Sequence, residues 1–243
     1  MERVNQSITK LIAQNPSSAK ILHSLGIYFY NYSENSLAEI CTQRGIKPEW
    51  VIQKLNDAIQ SQTLEPGRID DYPIDLIIEY LKHSHYIFIK DRLRYLGQII
   101  DNYPAPNGSI LADVQEVFPD FAQEFIEHVY EEEDTIFAYI TELKKIQDNK
   151  AFLDYKEIVL PKKSIQDFEN EHHQLDDEMQ GIRELTRSFN LAEVSDVHAK
   201  VIFEALSNFS EELKIHAKIE NEILFPKAIK LEQEVKALLS TPE

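Results

Sequence analysis

The sequence has very little cysteine and glycine. Its 243 residues include one cysteine, Cys41, so an intramolecular disulfide is excluded and a cysteine-held metal cluster within one chain has too few ligands. Glycine is scarce, at 6 residues, while Glu, Lys, Leu and Ile are plentiful. Because this composition favours helix over sheet, we expect an all-α protein.

Basic residues are also in deficit. The chain has 25 Lys and Arg against 42 Asp and Glu, a formal net charge of -17. Such a surface repels polyanions, so neither nucleic acid nor an anionic membrane is expected as a partner. No stretch approaches the ~20 consecutive apolar residues that a membrane span needs, and the N-terminus has no long apolar run. We therefore expect a cytoplasmic protein.

The pattern of apolar residues divides the chain into two predicted domains. Residues 1–65 are predicted to form a small helical N-terminal domain. The polar stretch 61–72, which contains Pro66 and Gly67, is predicted to be the linker that follows it. Residues 73–239 contain much longer amphipathic segments and are predicted to form a four-helix bundle. The four predicted helices cover about 73–101, 110–147, 163–189 and 194–239. Because the N-terminal domain lies behind a linker, it is also a candidate for forming a homodimer.

Local signals mark two helices of the N-terminal domain. Ser36 and Glu39 have the spacing of a capping box at a helix start. Gly45 is predicted to end that helix, and Pro48 suits the first turn of the next one. The apolar side chains of this next helix are predicted to face the core, namely Trp50, Val51, Leu55 and Ile59.

Polar residues interrupt the apolar stripes of two long helices. His128 and Glu132 occupy stripe positions in the second predicted helix, and His216 and Glu220 do so in the fourth. Burying an uncompensated carboxylate costs several kcal/mol, so each Glu needs a cation or a proton. Since each Glu lies one helical turn from a His, a divalent metal is the simplest way to neutralise the pair.

Single histidines occupy the stripes of the other two long helices, at His85 in the first and His172 in the third. All four helices thus supply donors. Because a single ion does not need so many, we predict two ions that are bridged by the two carboxylates. Histidine and carboxylate ligands without cysteine suit iron, manganese or zinc. The alternative is a buried Glu–His network without metal, in a helical interaction module.

These motifs resemble those of hemerythrin-like domains and, more closely, those of the repair-of-iron-centres family of di-iron proteins. The segments are HVYEE at 128–132, ENEHH at 169–173 and HAKIENEILFP at 216–226. The resemblance covers nearly the whole chain and implies a small helical domain followed by a hemerythrin-like bundle. It implies that His128, His172 and His216 are iron ligands and that Glu132 and Glu220 bridge two iron ions.

The family supplies one further histidine from its first bundle helix. A gapless placement puts this ligand at Tyr86, whereas the apolar periodicity through Leu81 and Phe88 favours its neighbour His85. We predict His85 as the ligand and keep Tyr86 as the alternative, because a tyrosinate also binds ferric iron and would change the colour of the protein.

A second departure from the family concerns thiol chemistry. The family's N-terminal domain carries two adjacent cysteines, and here Tyr30 and Asn31 stand in their place. Whatever thiol chemistry that pair performs is excluded, which puts iron–sulfur cluster repair in doubt and leaves Cys41 as the one candidate thiol.

Two functions therefore stay open. The resemblance implies a non-haem di-iron protein of nitrosative or oxidative stress response, similar to iron–sulfur cluster repair proteins and acting on iron–sulfur client proteins. The alternative is a non-enzymatic hemerythrin-like binder or sensor of O2, NO or iron. In both cases the expected small ligands are O2, NO or peroxide.

Overall fold

The fold of the chain is all-α. A computed structural model describes residues 3–32, 34–61, 69–148, 163–172, 178–192 and 194–240. Within these ranges the chain is mostly helical and forms no strand, although Ser7 and Ser36 make an isolated antiparallel bridge. The predicted fold class is thus confirmed. No helix in the described ranges is long and apolar enough to cross a membrane.

The N-terminal part consists of short helices, with bounds α1 (Ile8–Gln14), α2 (Ser18–Ser24), α3 (Leu37–Arg44) and α4 (Pro48–Ser61). The predicted capping box is present: the Ser36 N–H donates to the Glu39 carboxylate at 2.8 Å, and the Glu39 N–H donates to the Ser36 hydroxyl at 3.3 Å. Gly45 ends α3 with φ 66°, in the left-handed region that glycine adopts without a steric penalty. α4 then begins at Pro48, as predicted.

One prediction for α4 was wrong. Val51 and Leu55 are buried, but Trp50 is 44% exposed. The ammonium group of Lys54 lies 5.8 Å from the centre of the Trp50 ring, a cation–π contact that an exposed indole can make. The side chain of Ile59 lies outside the described residues.

In the described chain, three long helical runs follow, and each contains a π-helical segment. The first run is α5 (Ile74–Ile87), π1 (Phe88–Leu93) and α6 (Arg94–Asp101); the second is α7 (Ile110–Glu132), π2 (Glu133–Phe137) and α8 (Ala138–Asp148). The third is α11 (Val197–Ile219), π3 (Glu220–Leu224) and α12 (Phe225–Ser240). Between the second and third runs lie α9 (Ile165–His172) and α10 (Gln180–Leu185). The three runs match the first, second and fourth predicted helices within a few residues. The predicted third helix, 163–189, contains α9 and α10, with residues 173–177 outside the described ranges.

The chain divides into two compact units. The first comprises Met1–Pro66, Arg92–Pro119 and Gly181–Ser210, and the second comprises Gly67–Asp91, Asp120–Gln180 and Glu211–Glu243. The predicted boundaries of an N-terminal domain and a bundle stay a prediction.

The second unit is built around an apolar core. α12 packs along α8 and α9, and α5 packs against π3. The core includes Leu81, Ile136 and Leu224, which are at most 3% exposed. Each lies one helical turn from a predicted ligand, and burying such a side chain stabilises the fold by about 1.5–3 kcal/mol. The core therefore fixes the helices that carry those ligands.

In the first unit, Tyr30, which the family resemblance places opposite a cysteine, lies in an aromatic cluster. Tyr30 belongs to a short 3-10 turn, and its ring stacks on the His198 ring with centroids 5.6 Å apart. Phe29 and Tyr103 contact the same imidazole edge-on. The Nε2 atom of His198 lies 2.7 Å from the carbonyl oxygen of Ile99, to which it donates a hydrogen bond. Ring packing thus stands where the family has a thiol pair.

Candidate metal centre

Four buried polar side chains converge inside the second unit. Each offers one nitrogen or oxygen atom, and these four atoms all lie within 4.8 Å of one another. The group comes from α5, the last residue of α7, α11 and the first residue of π3. Its members are His85, Glu132, His216 and Glu220.

The contacts within this cluster meet at the Nε2 atoms of the two histidines. His85 Nε2 lies 2.9 Å from His216 Nε2 and 3.4 Å from Glu132 Oε2. His216 Nε2 in turn lies 2.9 Å from Glu220 Oε1. Two imidazole nitrogens and two carboxylate oxygens are therefore close enough together to bind one cation.

The surroundings of His85 disfavour a second proton on its ring. Burial lowers the pKa of His85, and the neighbouring His216 lowers it further, against the opposing effect of Glu132 and Glu133. A neutral imidazole is the form that binds metal ions. An ionised carboxylate is expensive to keep in an apolar interior, and a divalent ion bound to Glu132 and Glu220 would remove this cost.

The chemistry of the donors fits iron. Imidazole nitrogen together with carboxylate oxygen is a common donor set for non-haem iron, and manganese and zinc accept the same atoms. The cluster therefore meets the chemical requirement for the predicted metal, without selecting among the three.

Each helical run that supplies the cluster contains a π-helical segment next to its donor. π2 begins directly after Glu132, and π3 begins at Glu220 itself. π1 begins three residues after His85, at Phe88. A π turn holds an extra residue and rotates the side chains that follow it, and such turns occur often at functional sites. The spacing of apolar residues did not predict any of them.

Two side chains outside the cluster hold His85 in place. Glu133 Oε1 lies 2.9 Å from His85 Nδ1, and the Phe137 ring stacks on the imidazole with centroids 5.6 Å apart and an angle of 1°. Both residues belong to π2. The apolar pattern did not predict a role for Glu133, because adjacent residues of a regular α-helix point in different directions. The signal in the sequence was that Glu133 directly follows the predicted ligand Glu132.

The other predicted ligands lie elsewhere or outside the described structure. His128 is not part of the four-residue cluster; its Nε2 atom lies 3.3 Å from Glu178 Oε1, and both side chains are about a quarter exposed, at 28% and 26%. The backbone of His172 ends α9, and its side chain lies outside the described residues. Tyr86 is 61% exposed and does not join the cluster. Of the five predicted ligands whose side chains the structure describes, it thus brings together four.

Comparison with known proteins identifies the family resemblance independently. Residues 162–240 match the Hemerythrin family, described as the hemerythrin HHE cation binding domain. This segment contains His216 and Glu220, whereas His85 and Glu132 precede it.

Curated relatives match over nearly the full chain. The iron-sulfur cluster repair protein ScdA of Staphylococcus epidermidis (strain ATCC 35984) is 20% identical over 227 residues, which is 90% of this chain and 96% of that protein. ScdA of Staphylococcus haemolyticus (strain JCSC1435) is 21% identical over 229 residues, which is 92% of this chain and 98% of that protein. The predicted resemblance is confirmed: the chain is hemerythrin-like and is similar to ScdA along almost its whole length.

Proposed function

We propose that this chain holds a non-haem di-iron centre and acts in iron–sulfur cluster repair during nitrosative or oxidative stress. Of these properties, the name of its ScdA relatives gives iron–sulfur cluster repair for those proteins. The observation that supports this proposal is the convergence of two imidazole nitrogens and two carboxylates at a buried point. Such a group is costly without a cation, since its carboxylates are removed from water.

The histidines and the glutamates of the cluster have different roles in the proposed iron site. His85 and His216 would bind iron through their imidazole nitrogens, and Glu132 and Glu220 would supply the carboxylates that the family resemblance implies as bridges. When bound, iron supplies redox change and Lewis acidity toward a small ligand such as O2, NO or peroxide. Phe88 packs edge-on against the His216 ring, with centroids 5.4 Å apart, and limits the access of water to the cluster.

A second ion is supported by donors beyond the cluster. His128 lies one turn before Glu132 on α7, so it can share an ion with the Glu132 carboxylate. Glu178 approaches the Nε2 atom of His128 and offers a further oxygen to that ion. His172 is the remaining predicted ligand, by the family resemblance.

The test is the metal content of the full chain, purified without added metal, together with its visible spectrum. About two irons per chain, with oxo-bridge bands in the near ultraviolet, are the expected result. About one ion per chain would contradict the di-iron proposal. A metal-free chain that takes up no iron on reconstitution would mean that the His–Glu cluster is a structural network.

The second candidate function is a non-enzymatic binder or sensor of O2, NO or iron. It is favoured by the packing of Tyr30 into an aromatic cluster where the family has thiols, and by the burial of Cys41. The two candidates separate in an assay with a damaged iron–sulfur client protein. A repair protein restores the client's activity, whereas a binder changes its own spectrum with NO or O2 and leaves the client unrepaired.

A further inference from the structure

Glu133 contacts the edge of the His85 ring that is opposite the other donors of the candidate metal centre. Its carboxylate oxygen lies 2.9 Å from His85 Nδ1, while His85 Nε2 points to His216 and Glu132. One imidazole is thus bound on both edges by adjacent residues of the chain, Glu132 and Glu133. We propose that Glu133 is a positioning residue of the centre: it accepts a hydrogen bond from the Nδ1–H of His85 and so keeps the Nε2 lone pair available to a metal ion. This inference rests on the proposed metal-binding function.

The argument begins with the tautomers of a neutral imidazole. One ring nitrogen carries the proton and the other carries the lone pair, and the hydrogen bond at one nitrogen selects the state of the other. A carboxylate is an acceptor only, so it favours a proton on the nitrogen it faces. Glu133 faces Nδ1, and the lone pair is therefore placed on Nε2, where a metal ion must bind.

The electrostatic setting of Glu133 suits this role. Its side chain is 26% exposed, whereas that of Glu132 is 4% exposed. Glu133 therefore keeps contact with water while its carboxylate oxygen lies within hydrogen-bond distance of His85 Nδ1, so it holds the ring from outside the group of buried donors. Such carboxylate–histidine–metal arrangements raise the basicity of the ligand and fix the orientation of its ring.

The π-helical turn explains how two neighbouring residues reach one ring. Successive side chains on a regular α-helix diverge by about 100°. π2 begins at Glu133, directly after Glu132, and its last residue, Phe137, stacks on the face of the same imidazole. π2 therefore contacts the His85 ring at its Nδ1 edge, through Glu133, and at its face, through Phe137. These two contacts fix the orientation of the ring and with it the direction of Nε2.

The test compares Glu133→Leu and Glu133→Gln with Glu131→Gln, which removes the same charge from an exposed position two residues earlier. Two readouts are taken on the full chain: the His85 tautomer in the metal-free protein, from imidazole 15N chemical shifts, and the affinity for zinc alone, which accepts the same donors as iron. Circular dichroism establishes that each variant is folded.

The wild type and Glu131→Gln are expected to show the Nδ1–H tautomer and equal zinc affinity. Glu133→Leu is expected to populate the Nε2–H form and to bind zinc about 10–100-fold more weakly. Glu133→Gln, whose amide oxygen still accepts, is expected to keep the tautomer with a smaller loss of affinity.

The inference is overturned if Glu133→Leu keeps the Nδ1–H tautomer and binds zinc as tightly as Glu131→Gln. If the leucine variant does not fold, equal affinity of Glu133→Gln and Glu131→Gln overturns it instead. A wild-type chain that binds neither zinc nor iron defeats the proposed function, and the tautomer in the metal-free protein still decides the role of Glu133.

Discussion

The phenol of Tyr139 donates a 2.8 Å hydrogen bond to the carboxylate of Glu232, 93 residues later in the chain. Both side chains are buried, and burial together with this bond raises the pKa of Tyr139 well above its usual range. Glu232 also accepts from the ammonium group of Lys236 at 3.1 Å. The contact joins α8 to α12, so a buried polar bond ties two helices of the apolar core together.

We expect Tyr139→Phe to destabilise the chain by about 1–3 kcal/mol, because the buried Glu232 carboxylate loses a donor. Urea unfolding of the metal-free protein measures this. Tyr80→Phe is the matched control: Tyr80 is 42% exposed, and its change is expected to stay within about 0.5 kcal/mol. Equal stability of the two variants would show that the Tyr139 bond contributes nothing net.

Substitutions of two adjacent residues, His85 and Tyr86, decide which of them is the ligand from the first bundle helix. His85→Gln is expected to lower iron affinity at least about tenfold, since it removes an Nε2 donor of the cluster. Tyr86→Phe is expected to leave both affinity and visible spectrum unchanged, because the Tyr86 side chain faces solvent. Loss of a long-wavelength phenolate band in Tyr86→Phe would instead make the tyrosine the ligand.

Cys41 is expected to be unreactive in the folded protein. It is fully buried, and burial raises the pKa of its thiol, which lowers the fraction of the reactive thiolate. Ellman's reagent at neutral pH should therefore react at least about tenfold more slowly with the native chain than with the chain in guanidinium chloride. Comparable rates would reopen a role for this thiol in repair chemistry.

His198 is expected to make stability depend on pH. Burial lowers its pKa in the folded state, against the opposing effects of the Ile99 carbonyl and Asp196. The unfolded chain then binds more protons below the unfolded pKa of about 6.5, so stability falls as the pH drops through that value, by at most about 1.4 kcal/mol per pH unit.

The contribution of His198 is isolated with His198→Gln, which keeps a donor for the Ile99 carbonyl but does not titrate. Urea unfolding between about pH 5.5 and 7.5 should give a shallower pH dependence for the variant than for the wild type. Parallel curves would assign the pH dependence to other groups.

Much of the fold was predictable because the deciding interactions are local. The capping box at Ser36 and the left-handed Gly45 depend on residues within one turn, so their signals lie in a few letters of sequence. The long helices were predictable since apolar residues recur along them at the helical period. Trp50 was predicted wrongly because its apolar ring fits a stripe, whereas the exposed ring contacts Lys54.

The candidate site was predictable where a buried carboxylate contradicts the apolar stripe, as Glu132 and Glu220 do. The contact of Glu133 with His85 was not predictable, because it depends on a π turn. The apolar pattern gave no signal for that turn, since it changes the register of a helix by one residue without changing its composition.

The π turns also affect how this chain is aligned with other proteins. A helix that gains such a turn carries one inserted residue in the middle of continuous helical sequence, where gaps are rarely placed. An ungapped comparison with a helix that lacks the turn is displaced by one position on one side of it, and in this chain π1 begins at Phe88, close to His85. For this chain, the residues near the centre that correspond to a relative's ligands are therefore better identified from the positions of the donor atoms than from a sequence alignment.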